Sequence, residues 1–433
     1  MKRFYWKSML LILLISTLLP LGSIANASPK ATEKNNYYFV YNSSKVDAKD
    51  LAAIKQYAAK FKSTNNILFD AKGYTSAVKL YDALKGYQKK IGGSVAGVQI
   101  FGVSDDVPAF SYVSKMRMFP PNDKWNGVAT DTNQKYVTDF FYSTFKNDSK
   151  YLNTDITVYD VLEKGVPLSL MPEWSVARLP LTKGEIAGYV AKYNSYRKQI
   201  NNKPVPTAVF SIPTEIDKNA AQNDAALFAN RLKNEFGLLK NTELRTYTED
   251  LKTNIVKENK SGVTDFLLNS DVNSDLNSEG SKLMSRSTVK SGITANFYTA
   301  FFWETKSAKG LGFDNIVHDG LVKGKMINPI AKTTPPSNGG LYNYIWAVVE
   351  VKDGQEYYDY VPATLEMLQN NNTYYLLYLY YEALNEGKSR SDSLLEAKIG
   401  YITNALKHPS DTGYMFGFES VIAYHYLGLA DYE

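Results

Sequence analysis

The sequence predicts an α/β protein with mostly parallel strands, flanking helices and two subdomains. Short apolar runs alternate with stretches whose apolar residues recur at helical spacing, which is the pattern of βαβ units. The alternation occurs twice, on either side of the polar joint Asn201-Asn202-Lys203-Pro204. At 433 residues with 44% hydrophobic side chains, the chain is also long enough for its core to divide in two.

In the first set, Tyr37 to Tyr41 reads as a strand and Asp47 to Lys62 as a helix, with Leu51, Ile54, Tyr57, Ala58 and Phe61 on one face. Asn66 to Phe69 is a strand, Tyr74 to Lys90 an amphipathic helix, and Val95 to Gly102 an apolar strand interrupted only by Gln99. The stretch from Asp105 to Leu152, with Pro108, Pro120 and Pro121, reads as irregular. Trp174 to Ala177 is a strand, and Thr182 to Lys198 a helix opened by a capping-box pair, Thr182 and Glu185. The second set offers strands at Val205 to Ile212, Thr242 to Thr246 and Gly262 to Leu268, with helices at Lys218 to Phe236 and Thr248 to Asn259. Beyond these, Ile293 to Trp303 and Leu341 to Val351 read as strands. Thr373 to Asn385, Arg390 to Leu406 and Phe416 to Leu427 read as helices. The subdomains so defined are residues 37–200 and 204–433.

The N-terminus places Lys2, Arg3 and Lys7 before an apolar run from Met9 to Leu19, then Pro20, Gly22 and the small residues Ala25 and Ala27. That order is the one a secretory signal peptide shows. The run is interrupted by Ser16 and Thr17 and is shorter than a membrane span requires. Residues 1–27 are therefore expected to be removed, leaving a polar leader over 28–36 and a secreted product without stable membrane insertion. The segment carries three basic and no acidic side chains, so 406 residues with net charge +2 remain, against +5 for the whole chain. A surface this close to neutral gives no footprint for nucleic acid.

The chain contains no cysteine. Also absent are the serine nucleophile elbow, the paired histidines of zinc helices and the dinucleotide glycine fingerprint, so no cofactor is expected. Gly387-Lys388-Ser389 looks like the end of a phosphate loop, but Glu382 stands where the upstream glycine belongs. It reads instead as one helix ending on Gly387 and the next beginning. His318 beside Asp319 could form a general base, although neighbours on a helix point apart, and the plain reading is a helix-side histidine. Asp271, Asn273 and Asp275 place oxygen ligands at every second position, as at the start of a calcium loop. Leu276 replaces its turn glycine and Lys282 its final acid, so a solvated loop competes with calcium there. Tyr374, Tyr375, Tyr378, Tyr380 and Tyr381 crowd one helix, which reads as core or as a surface for stacking sugars.

Several segments carry recognisable motifs that fall in one order along the chain. Val98-Gln99-Ile100-Phe101-Gly102-Val103-Ser104-Asp105 with Pro108 resembles a strand ending in a glycine-acid turn and a proline. Thr138-Asp139-Phe140-Phe141-Tyr142 resembles an Asp-aromatic-Tyr segment. Trp174-Ser175-Val176-Ala177-Arg178-Leu179-Pro180-Leu181-Thr182, with Glu185, Lys192 and Tyr196 behind it, resembles the Gly-Arg-hydrophobic-Pro signature, with Ala177 in place of glycine. Leu394-Leu395-Glu396-Ala397-Lys398 and Tyr424-His425-Tyr426-Leu427-Gly428 resemble closing segments, and the whole ordered set resembles the gingipain family of secreted cysteine peptidases.

The resemblance implies a caspase-like fold, in which a histidine after one strand assists a cysteine after the next. By order, the histidine position falls at Asn269, Ser270 and Asp271, and the cysteine position at Trp303 and Glu304. Neither holds the required group. The resemblance thus implies a pseudopeptidase without catalytic residues, binding a peptide or an extracellular or envelope protein through Asn269, Asp271, Trp303 and Glu304. Two other readings stay open: a hydrolase rebuilt around His318, Asp319 and a hydroxyl such as Thr299 or Thr305, and a cell-wall or carbohydrate-binding module.

Overall fold

The computed structural model describes residues 34–114, 134–152, 165–200, 205–211, 229–239, 242–247, 264–271, 298–304, 315–332, 345–352, 355–362, 372–407 and 422–432. The expected signal peptide, most of the polar leader and the joint at 201–204 lie outside them. Strand β1 (Asn36–Tyr41) leads into helix α1 (Ala48–Ala58), whose N-cap Asp47 accepts the Asp50 N–H at 2.8 Å. Strand β2 (Asn65–Asp70), helix α2 (Ala77–Ile91) and strand β3 (Val95–Phe101) follow. Both β2 and β3 run parallel to β1, with Tyr38 opposite Ile67 on one side and Val98 on the other. Tyr38, Phe39 and Val40 are all buried, as a strand covered on both faces requires.

The stretch from Asp105 to Leu152, expected to be irregular, contains a hairpin. Strands β4 (Phe110–Ser114) and β5 (Gln134–Thr138) pair antiparallel, and 3-10 turns follow at Phe140–Ser143 and Ser149–Tyr151. Strand β6 (Ser175–Leu179) then lies parallel to β3, and helix α3 (Ile186–Ile200) follows it.

The second half contributes strands β7 (Thr207–Ser211), β8 (Leu244–Tyr247), β9 (Thr264–Asp271) and β10 (Tyr298–Glu304). Helix α4 (Asn315–Val322) and the short strand β11 (Ile330–Lys332) come next. Strands β12 (Ile345–Lys352) and β13 (Gln355–Pro362) form a separate hairpin. Helices α5 (Asn372–Asn385) and α6 (Arg390–Ala405) meet at Gly387, which has φ +86°, and at Ser389, which caps α6 by accepting the Asp392 N–H.

One expected element is overturned. Residues Tyr424–Leu427, placed in a helix from the sequence, form strand β14 at the centre of the sheet. All four are buried, so the segment lacks the alternation that marks a half-exposed strand. A short apolar run of this kind cannot be told from helix by periodicity.

The main sheet has ten strands in the order β2-β1-β3-β6-β14-β11-β10-β9-β7-β8. Strand β14 runs parallel to β6 and antiparallel to β11, so the first four strands and the last five meet across it. Asn35–Glu433 form one compact unit, with the segments before and after 201–204 supplying adjacent parts of one sheet. Side-chain amides fasten the residues after β14. Gln99 donates to the Gly428 carbonyl and accepts the Ala430 N–H, both at 2.9 Å, and Asn328 engages the Leu429 carbonyl and N–H at 2.8 and 2.9 Å. Such amides reproduce the pairing of a neighbouring backbone and leave no buried polar group open.

Candidate functional site

Strands β7, β9 and β10 are parallel neighbours, so their C-terminal ends lie together at one edge of the sheet. That edge is where open α/β sheets carry their sites. Phe302 is in register with Leu268 and Glu304 with Asp271, with a shift between the two pairs. Asn269, Ser270 and Trp303 lie between those pairs, and Ser211 on β7 is opposite Asn269. The backbone therefore brings five residues singled out from the sequence to adjacent strand tips. Asn273, Asp275 and Thr305 fall outside the described residues, and the calcium reading with them. Thr299 is opposite Asp265 in the body of the strand, away from the tip.

His318 and Asp319 face different partners. On α4, His318 Nε2 lies 3.0 Å from Glu185 Oε2. The same oxygen accepts the Thr182 N–H at 2.9 Å and the Thr182 hydroxyl at 2.8 Å. Burial acts to raise the Glu185 carboxyl, but the donors from Thr182 and His318 outweigh it and hold the group below its usual range. Asp319 is buried and meets Lys323 one helical turn away at 3.3 Å. Lys192, from α3, donates to the carbonyls of Gly320, Leu321 and Gly324 at the end of α4. These contacts anchor α4 on α3 and assemble no histidine-carboxylate pair from adjacent residues.

A second cluster sits where the first half of the sheet meets β14. The Arg178 guanidinium grips Asp139 through Nε to Oδ2 at 2.6 Å and Nη2 to Oδ1 at 2.7 Å. Its Nη1 donates to the Gly102 and Val107 carbonyls at 2.8 and 2.9 Å. Both partners are almost wholly buried. Lys398, on α6, donates to the Tyr424 carbonyl at 2.6 Å and lies over the Phe140 ring. Burial pushes its ammonium down to about 7 against the opposing pull of Asp139. Buried His425 is held well below its ordinary value, first by burial and then by Lys398 and Arg178. A cavity of about 30 Å³ beside Asp139, Lys398 and His425 has room for one or two waters. Every charged donor here is spent on a protein acceptor, so the cluster fastens segments together. Arg178, Asp139, Lys398 and His425 lie in four separate sequence motifs, and no spacing between them foretells their contact.

The family model for peptidase family C25 matches residues 30–299, more than half of the chain. The chain belongs to peptidase family C25. Its fold is that of solved members. Over 92% of this chain and 77% of the other, the arginine-specific cysteine proteinase gingipain R superposes with a TM-score of 0.53 at 10% identity. The complex of the pro- and mature domains of the Porphyromonas gingivalis enzyme gives 0.53 at 10% identity, covering 90% of this chain and 78% of that one. A structure described as a protease gives 0.57 at 14% identity, covering 91% and 77%. No curated protein matches the chain. The C25 match ends within β10, before Trp303 at the strand tip, and this C25 chain has no cysteine at any of its 433 positions.

Among the described residues, no helix is long and apolar enough to cross a membrane, and no group of three or more His, Cys, Asp or Glu side chains is placed to hold a metal. The tyrosine-rich α5 turns inward: Tyr375, Tyr380 and Tyr381 are buried, and Tyr378 is partly buried with its hydroxyl on Glu382 at 3.1 Å.

Proposed function

We propose that this C25 chain is a secreted, non-catalytic member of its family that binds a peptide segment of an extracellular or cell-envelope protein at the tips of β9 and β10. The observation that carries the reading is the absence of any cysteine from a chain with the fold and family of cysteine peptidases. The family's acyl-transfer chemistry needs a thiolate, and neither Trp303 nor Asn269 supplies a nucleophile or a base. Adjacent strand tips still offer an edge at which an extended peptide can lie, and the residue order of 1–27 supports export.

The test is to purify the exported protein and assay it against a library of fluorogenic peptides while measuring peptide binding by fluorescence anisotropy. The reading expects saturable binding of a subset of peptides with no turnover. Hydrolysis that co-purifies with the chain at constant specific activity and resists thiol-alkylating reagents overturns it. The rebuilt-hydrolase reading draws no support from His318, which faces Glu185. The sugar-stacking reading of α5 loses its basis in the buried tyrosines.

A further inference from the structure

The first half of the sheet contains a feature that plays no part in the strand-tip reading. After β1 the chain turns to one side, through α1 to β2; after β3 it leaves to the other side, toward β6. Strands β1 and β3 are neighbours, so their connections diverge above a shared edge. This is a topological switch point, where the departing loops leave a crevice outside the C-terminal ends of the strands. A cleft of about 650 Å³ occupies that place, within the range of small-molecule sites. It is walled by Asn42 after β1, by Tyr74 to Val78 after β2, and by the segment from Ser104 to Ser111 after β3.

The walls are preorganised. Asn42 Nδ2 donates to the Asp106 carbonyl at 2.8 Å, while its Oδ1 accepts the Ser44 N–H at 3.1 Å and the Ser44 hydroxyl at 2.7 Å. This ties the loop after β1 to the loop after β3. Lys45 meets the Asp106 carboxylate at 3.4 Å, which satisfies one of the two acids. Asp105 is exposed and makes no ion pair among the described residues. The lining includes no Lys, Arg or His, so an anionic ligand would meet the Asp105 carboxylate with no lining cation beside it.

What remains is one unpaired carboxylate, hydroxyls from Thr75, Ser104 and Ser111, and the half-buried Tyr74 ring beside them. A carboxylate accepts from neighbouring hydroxyls of a diol, side-chain hydroxyls both donate and accept, and an aromatic ring covers the apolar face of a pyranose. We infer that the switch-point cleft between β1 and β3 binds a neutral oligosaccharide, with Asp105 accepting ligand hydroxyls and Tyr74 packing on a sugar ring. The proposal is independent of peptide binding at the β9 and β10 tips, and either can fail alone.

The test uses the whole exported chain in isothermal titration calorimetry, with maltotriose, chitotriose and trilysine as separate probes. The expected result is saturable binding of at least one trisaccharide with a Kd of about 1 mM or tighter. Asp105→Ala and Tyr74→Ala should each weaken it about tenfold or more, which is about 1.4 kcal/mol, with thermal midpoints unchanged. If Tyr74→Ala fails to fold, the exposed Asp105→Ala decides alone. Three results overturn the proposal: no saturable heat with either trisaccharide, saccharide binding untouched by Asp105→Ala, or binding of trilysine alone, which would assign the cleft to ammonium groups.

Discussion

Arg178 and Asp139 meet in a two-pronged ion pair inside the protein, between strand β6 and the turn after β5. The two residues come from different segments that link this chain to family C25, and the pair spans 39 positions. The remaining Arg178 amine bonds the Gly102 and Val107 carbonyls, so one side chain fixes the exits of β3 and β6 together. Removing one partner would leave a charge buried without compensation, which costs about 3–5 kcal/mol. Arg178→Met and Asp139→Ala should each lower the urea midpoint accordingly. Arg178→Lys should not restore it, because an ammonium cannot make the parallel pair.

Gly428 follows β14 with φ +141°, and a Cβ there would come within 2.0 Å of Asn328 Oδ1 and 2.9 Å of the Asn328 Cα. Gly428→Ala should therefore cost about 2–5 kcal/mol from backbone strain and overpacking together. Gly387 also has positive φ but nothing within 4 Å of an added Cβ. Gly387→Ala should cost only about 1 kcal/mol. Equilibrium denaturation of the two variants side by side checks the contrast.

Stability should rise with pH from neutral toward about 10. Burial lowers the Lys398 ammonium from 10.5 to about 7, so between those values the unfolded chain holds a proton that the folded one has released. Lowering the pH through that window removes stability, by up to about 1.4 kcal/mol per pH unit. His425, also lowered by burial, extends the same sign to the acid side of its usual 6.5. The buried Tyr57, Tyr193 and Tyr426 hydroxyls are raised by desolvation, which reverses the slope above about pH 10. Lys192, which burial and then Lys325 lower to about 7 as well, adds a second proton of the same sign, so Lys398→Met should remove about half of the slope between pH 7 and 10 in chemical denaturation series.

His318→Ala removes a contact whose two side chains are 33% and 22% exposed. Partly solvated pairs are worth about 0.5–1 kcal/mol, so the thermal midpoint should move by only a few degrees. Peptide binding at the strand tips should be unchanged. Loss of a hydrolytic activity in this variant, with its fold intact, would instead revive the rebuilt-hydrolase reading.

What the sequence made legible follows the physics of each segment. The apolar runs of β1, β3 and β6 adjoin the helices α1, α2 and α3, whose polar starts are Asp47, Ser76 and the Thr182–Glu185 pair, and those signals are local. The juxtaposition of Asn269 and Trp303 at neighbouring strand ends follows in the sequence only from the resemblance to the gingipain family, since no local pattern says which strands pair. β14 stayed hidden, since Tyr424 to Leu427 are buried throughout and carry no periodicity. The hairpin of β4 and β5 was masked by the prolines between its strands. The contact of Arg178 with Asp139, and that of Lys398 with the Tyr424 carbonyl, are tertiary, and no spacing rule announces them. The cleft beside Asp105 is likewise a product of topology, assembled from three loops that are far apart in the chain.

The position of β14 has a consequence for how the molecule is made. Synthesis proceeds from the N-terminus, yet the strand that joins the two parts of the sheet is the last of the described strands to emerge. Until residues 424–427 arrive, β6 and β11 each present an open hydrogen-bonding edge to their surroundings. Any form of the chain in which the other strands pair before β14 docks carries two open edges, at which proteases, chaperones or another copy of the chain can act.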